Sequence, residues 1–243
     1  MKDLIIALAM LGTVAAFAGG PNDVNLNFGI STAEAQKTGF NSYVTAPKGV
    51  TLLEEDGVKF FRLEQDAADP QHRAKISFHA PRACKAYEKG SFNVSLLART
   101  EANRTNGIIM TYIGCTRLDL SNSKANVVFM GKGKKFTIMS ANYQKTPVVP
   151  GAWQHVHLSV NRQGDIAIYI NGELSASRNM SDRQDEVWCD SIWWAVVGNN
   201  RASDADHPIA KMDVARLSIR EGLMSSAQIK EEADSWLANV VRK

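Results

Sequence analysis

Apolar and polar residues alternate through GAWQHVHLSVNRQGDIAIYINGE, residues 151–173, in two runs joined by a Gly-containing link. Alternation at period two marks a strand with one face buried. Val156, Leu158 and Val160 share one face of the first run, and Ile166, Ile168 and Ile170 share one face of the second. A two-residue turn at Gln163-Gly164 sets each of them opposite a residue of the wrong face. A three-residue link, Arg162-Gln163-Gly164, pairs Val160 with Ile166, Leu158 with Ile168 and Val156 with Ile170. Glycine then takes the link position that needs a left-handed backbone. Slipping the pairing by one residue turns the whole aliphatic set to solvent, so this register is strongly specified and this face is predicted to be core.

Shorter runs of the same kind flank the ribbon. They are VKFFRLE (58–64), AKISFHAP (74–81), GSFNVSLLART (90–100), GIIMTYIG (107–114), ANVVFMG (125–131), KFTIMSA (135–141), SIWWAVVG (191–198) and AKMDVARLSI (210–219). Asp56-Gly57, just before the first, is a strong hairpin cue. No helical pattern separates these runs, which argues against a parallel α/β sheet and for an antiparallel sandwich or barrel. One helix is marked at the end of the chain. Ser225 and Gln228 have capping-box spacing, and Ile229, Ala233, Trp236, Leu237 and Val240 then recur at helical intervals. Lys230, Glu231 and Asp234 occupy the opposite face, so the helix is expected to lie on the sandwich surface.

Composition narrows the setting. The chain is 44% apolar and 22% charged, ordinary for a globular domain, and its net charge of +3 is too small to argue for nucleic acid. The lysine-rich GKGKK (131–135) reads as a hairpin turn kept soluble by its charges and lacks the spacing of a phosphate-cradling loop. From Leu4 to Ala18 the sequence is a run of apolar and small residues, shorter than the ~20 residues needed to span a bilayer. With its small-x-small exit at Ala16-Phe17-Ala18 it reads as a signal peptide over residues 1–18; a second such exit at Ala33-Glu34-Ala35 allows cleavage as late as residue 35. The expectation is a secreted, periplasmic or cell-surface protein, one domain over 36–243, with no membrane insertion of the mature chain. Cys84, Cys115 and Cys189 allow either one disulfide and a spare thiol or three buried thiols.

The second face of the ribbon carries the candidate chemistry: Trp153, His155, His157 and Ser159 beside Ala167, Tyr169 and Asn171. Such a face is either a shallow ligand surface, where sugars stack on rings and hydrogen-bond to planar polar groups, or simply a solvated or loop-covered one. His155 and His157 share a strand side as a zinc pair would, but no carboxylate or cysteine stands beside them in sequence to complete a set.

GAWQHVHLSVNRQGDIAIYINGELSAS resembles the stretch of laminin-G-like domains in which a Trp-initiated strand leads through a Gly turn to a Tyr-x-Asn-Gly hairpin. VVGNN followed by AKMDVARLSIREGLMSSAQI is similar to the closing strands and helix start of that family, and FNVSLLART to its early core strand. The resemblance runs from about Phe40 to Ile229 and implies an all-β, concanavalin A-like jelly-roll sandwich of two antiparallel sheets with one C-terminal α-helix. Relatives on this fold include lectins, adhesive modules, calcium binders, glucanases and lyases, so activity must be argued from the site.

A retaining glucanase needs two carboxylates about 5 Å apart, normally spaced along one strand, and that pattern is absent; so are a lyase-type closing strand and a Gly-x-Ser-x-Gly elbow. Catalysis is therefore disfavoured. The loop VGNNRASDADHP offers Asn199, Asn200, Asp204 and Asp206 as oxygen ligands. It is either a calcium site of the kind the resemblance implies at the sandwich rim or an ordinary polar loop. In the strand before it, one of Trp193 and Trp194 is expected in the core, the other as a stacking platform or under the helix. Three readings follow: a secreted non-catalytic carbohydrate-binding module with calcium as a candidate cofactor, an extracellular protein-interaction or adhesion module, and a polysaccharide hydrolase or lyase. The expected partner is a glycan or an extracellular protein.

Overall fold

The computed structural model describes residues 24–27, 49–64, 75–79, 91–100, 111–113, 116–121, 124–131, 134–137, 149–161, 165–179, 181, 194–198 and 211–240, with side chains described in 49–64, 91–100, 149–161, 165–179, 181 and 211–240. The strands among them are β1 (Val24–Asn27), β2 (Val50–Glu55), β3 (Val58–Leu63), β4 (Lys75–His79), β5 (Phe92–Thr100), β6 (Thr111–Ile113), β7 (Thr116–Ser121), β8 (Lys124–Gly131), β9 (Lys134–Thr137), β10 (Gln154–Val160), β11 (Asp165–Ile170), β12 (Glu173–Asn179), β13 (Trp194–Gly198) and β14 (Met212–Glu221), followed by the helix α1 (Ser226–Ala238). Two antiparallel sheets result. The first runs β12-β11-β10-β5-β14-β3-β2, with β1 also paired to β14; the second runs β4-β13-β6-β7-β8-β9.

Turn chemistry and face pattern explain the first sheet. β10 and β11 pair Val160 with Ile166, Leu158 with Ile168 and Val156 with Ile170, the register predicted from alternation. These six side chains are 0–1% exposed. β5 extends the same face with Leu96 opposite Val156 and Val94 opposite Leu158, and β14 adds Leu217 and Ile219. Two hairpins close on left-handed pairs, Asp56-Gly57 (φ 52° and 78°) and Asn171-Gly172 (φ 54° and 81°). Two-residue turns of that hand match the right-handed twist of the strands they join.

The opposite face of this sheet is covered as well. Ser225 caps α1 by accepting the Gln228 amide at 3.3 Å, while the Gln228 side chain accepts the Ser225 amide at 2.9 Å. The helix buries Ile229, Glu232, Ala233 and Trp236. Trp236 joins Phe60, Leu97 and Ala215 in a second apolar cluster, flanked by Leu53, Val58, Trp153, Leu237 and Val240. β5, with layers on both faces, is buried at eight of its nine positions, which makes it the spine of the sheet.

Several sequence expectations change in detail. β1, β2 and β7 lie outside the predicted runs, because short segments such as VNLN, VTLLEE and TRLDLS carry too few apolar residues to stand out and become strands by pairing with neighbours. GKGKK does join a hairpin, with Gly131 of β8 opposite Lys134 of β9. The predicted signal segment, the three cysteines, Trp193 and the loop bearing Asn199, Asn200, Asp204 and Asp206 lie outside the described residues. No helix among the described residues is long and apolar enough to cross a membrane.

Candidate functional site

The face that holds His155 and His157 is not an open ligand surface at those positions. α1 lies over it, and both imidazoles are 0% exposed. The sequence reading could not find the covering group because it comes from the helix: Glu232, buried at 2%, reaches down between the two histidines. Its Oε1 accepts from His155 Nε2 at 3.0 Å and lies 4.0 Å from His157 Nδ1. Its Oε2 is 2.5 Å from Arg220 Nη1, an ion pair by distance though not aligned as a hydrogen bond.

Hydrogen bonding fixes the His157 tautomer. Asn93 Nδ2 donates to the Gly222 carbonyl at 2.7 Å, so the Oδ1 that faces His157 Nε2 at 3.2 Å must accept. His157 therefore carries its proton on Nε2, and its Nδ1 accepts from the Ser95 hydroxyl at 2.9 Å. Burial first, then His155, push the His157 pKa down to about 3, Glu232 pulling the other way and Arg220 adding a smaller push down. Burial alone raises the Glu232 carboxyl, but the His155 hydrogen bond and Arg220 outweigh it and hold the group at about 2. The His155–Glu232 hydrogen bond and the Arg220–Glu232 ion pair thus lock the helix to the sheet. Asn93-Val94-Ser95 has the Asn-x-Ser form of a glycosylation acceptor, but Asn93 is 2% exposed with both amide atoms engaged, so it is closed to modification in the folded chain.

One ligating atom each from His155, His157 and Glu232 lie within 4.8 Å of one another, so the helix supplies the carboxylate that the sequence did not place beside the histidines. The charge and lone pairs a divalent ion needs are already engaged, however, by Arg220 on the carboxylate and by Ser95 on His157 Nδ1. The Ser95–His157 contact has the form of a nucleophile and base, yet Ser95 is 2% exposed and the far nitrogen faces a neutral amide. With α1 in place no substrate reaches it. This centre is a helix latch.

The other predicted residues divide around it. Asn171, in the β11–β12 turn, accepts the His155 amide on Oδ1 at 3.0 Å. Tyr169 is half-buried, its hydroxyl 3.4 Å from Ser226 Oγ and its ring edge-on to His157. Trp194 opens β13 opposite His79. Trp153, just before β10, is half-buried, its ring against the guanidinium of Arg99, which lines an open pocket.

That pocket, about 300 Å³, is lined by Glu55, Arg62, Arg99, Thr100, Gly151, Lys211 and Asp213. Register builds it. Asp213 of β14 stands directly opposite Arg62 of β3 and Arg99 of β5. Its carboxylate takes the Arg62 fork at 2.7 and 2.9 Å, and Arg99 Nε and Nη2 at 2.9 and 2.7 Å. Arg99 also donates to Glu55 at 2.5 Å. Its guanidinium lies 4.8 Å from the Trp153 ring centre and 5.3 Å from that of Phe60. The Asp213 hydrogen bond raises the Arg62 pKa, and Glu55 and Asp213 raise that of Arg99 despite burial. Both stay cationic. Their donors are held rigidly by carboxylate and rings, at a mouth open to solvent, in an arrangement suited to binding oxygen-rich ligands. A second cavity, about 320 Å³ between the β2–β3 hairpin and the end of α1, is lined by Lys59, Arg216 and Asn239 beside Val58, Leu97, Ala215 and Val240, and among the described residues no carboxylate lines it to hold its cations in place.

Comparison with known proteins bears on the fold. The chain resembles the binding domain of Paraclostridial Mosquitocidal Protein 1, with a TM-score of 0.60 and 13% identity over 81% of this chain and 48% of that one. It resembles the botulinum neurotoxin serotype D ligand-binding domain, solved with N-acetylneuraminic acid, with a TM-score of 0.57 and 18% identity over 82% and 47% of the two chains. It also resembles the botulinum neurotoxin DC binding domain, solved with rat synaptotagmin II, with a TM-score of 0.59 and 14% identity over 78% and 45%. The chain thus spans about half the length of these structures. No curated protein matches it. The two antiparallel sheets and the C-terminal helix form the jelly-roll sandwich that the sequence implied. A laminin-G family model matches residues 86–230, more than half of the chain, and the chain belongs to the concanavalin A-like lectin/glucanases superfamily.

Proposed function

We propose that this protein is an exported, non-catalytic carbohydrate-binding module that holds its glycan in the pocket over β3, β5 and β14. The observation that carries the reading is the Arg62–Asp213–Arg99 array braced on Phe60 and Trp153 at a solvent-open mouth. Sugars are recognised by planar, charged hydrogen-bonding groups beside an aromatic ring, and about 300 Å³ lies at the small end of ligand pockets. The binding domains that share the fold lend support, since one is in complex with a sugar. Trp193 and Trp194 are proposed as a second stacking platform, and Asn199, Asn200, Asp204 and Asp206 as a calcium site that shapes the rim.

A glycan array run with calcium and repeated with a chelator tests the reading. Retention of one glycan class, weakened at least tenfold by Arg99→Lys, is the expected result, because lysine keeps the charge and loses the planar fork. Loss of signal in chelator assigns the 199–206 loop a part in binding. An array with no retained glycan, together with capture of a defined extracellular protein, overturns the proposal in favour of the interaction module. That second reading is favoured by one observation, the neighbour in complex with synaptotagmin.

A further inference from the structure

The two carboxylates that contact Arg99 differ in kind. The Asp213 side chain is 6% exposed on a central strand, and its oxygens are shared by both arginines, so it belongs to the framework. The Glu55 side chain is 53% exposed, sits at the last position of the edge strand β2 just before the Asp56-Gly57 turn, and among the described residues is held by Arg99 Nη2. Exposed ion pairs of this sort contribute little and exchange readily. Asp213, Trp153 and Phe60 hold the Arg99 guanidinium where it is with or without Glu55.

We infer that the pocket selects glycans bearing a carboxylate, uronate or sialate, and that Glu55 occupies the ligand's position on Arg99 in the free protein. The native occupant of Nη2 is itself a carboxylate, so the chemistry the donor accepts is visible in the molecule. Once Glu55 swings out, the cations Arg62, Arg99 and Lys211 line a pocket whose one remaining lining carboxylate is Asp213. Lys211 is held only loosely, its Nζ 3.9 Å from Glu64. Thr100 lines the same pocket, and its buried Oγ1 has no hydrogen-bond partner among the described residues. An entering carboxylate gains the Arg99 Nη2 contact that Glu55 vacates and a second cation, Lys211, in the same pocket lining. A neutral sugar gains much less from the same groups.

This inference rests on the carbohydrate reading, and the experiment separates the two. Binding of the full chain to tetragalacturonate and to sialyllactose is titrated beside carboxyl-reduced tetragalacturonate and lactose, for wild type and for Glu55→Gln. The two acids distinguish uronate from sialate as the source of the carboxylate. The expected result is at least tenfold preference for one acid over its neutral partner, weakening as salt rises from about 50 to about 500 mM. Glu55→Gln should strengthen acid binding about three- to tenfold and shift neutral-sugar binding by clearly less than that. Equal binding of acidic and neutral sugars, or acid binding indifferent to Glu55→Gln, overturns the inference and leaves the module reading intact. No binding to these probes or to any glycan on the array overturns both.

Discussion

At the scale of single residues, the informative groups are polar ones in buried places. Glu232 is a charge on the inward face of a helix, where sequence periodicity expects an apolar residue, and it is stable there because His155 and Arg220 meet it. Removing one member of a buried ionic set strands the others, so Glu232→Ala should cost about 3–5 kcal/mol in urea unfolding. Acid acts on the same centre. The unfolded chain protonates His157 near its ordinary 6.5, whereas the folded chain does so only near 3. Its contribution is complete above pH 6.5 and is lost as pH falls toward 3, because over that interval the unfolded state holds the extra proton. Glu232 adds a second contribution, complete above its ordinary 4.5 and lost as pH falls toward about 2. The urea midpoint should therefore drop progressively below pH 6.5. In His157→Gln the slope between 6.5 and 4.5 should flatten, and an unchanged slope would remove this residue from the account. His155 and His157 were legible as neighbours on one strand side, but their burial was not, since nothing local encodes what lies above a sheet.

At the scale of elements, turns and caps follow local chemistry closely. Alternation accounts for the β10–β11 register, the link 162–164 lying outside the described residues, and Asp-Gly and Asn-Gly close the two tight hairpins. The same local motif nevertheless has different worth in different places. A Cβ at Gly57 meets nothing within 4 Å, whereas at Gly172 it falls 2.6 Å from Lys230 Cδ and 2.9 Å from the Lys230 backbone Cα. Both have positive φ, so Gly57→Ala should cost about 1–2 kcal/mol, the strain of a left-handed alanine. Gly172→Ala should cost clearly more, because the turn and α1 must also move apart; thermal denaturation of the two variants side by side checks the order. Where strands were missed, as with β7, the segment is short and mixed in polarity, and pairing rather than its own composition made it a strand.

At the scale of the whole molecule, the first sheet is the middle layer between the aliphatic core and the α1 cluster of Phe60, Leu97, Ala215 and Trp236. A chain ending at Met224 lacks α1 and leaves that second cluster, together with His155 and His157, uncovered. It should bind ANS and lose cooperative unfolding, as expected when an apolar patch of this kind is exposed. Cooperative unfolding of the truncated chain at wild-type midpoint would show the latch to be dispensable. The pocket is a product of this scale too. Arg62, Arg99 and Asp213 are far apart in sequence and meet only because β14 lies between β3 and β5.

The sequence by itself determined the antiparallel character, the ribbon register, the left-handed turns and the capped C-terminal helix. Each is set by interactions within a few residues or by a period-two pattern that one strand carries alone. Tertiary structure decided what the second face of the sheet meets. It sealed the histidine face beneath Glu232 and left a solvent-open pocket at the arginines, because cross-strand partners and the landing place of a helix depend on strand order. Strand order is a property of the assembled sheet and is written in no single segment.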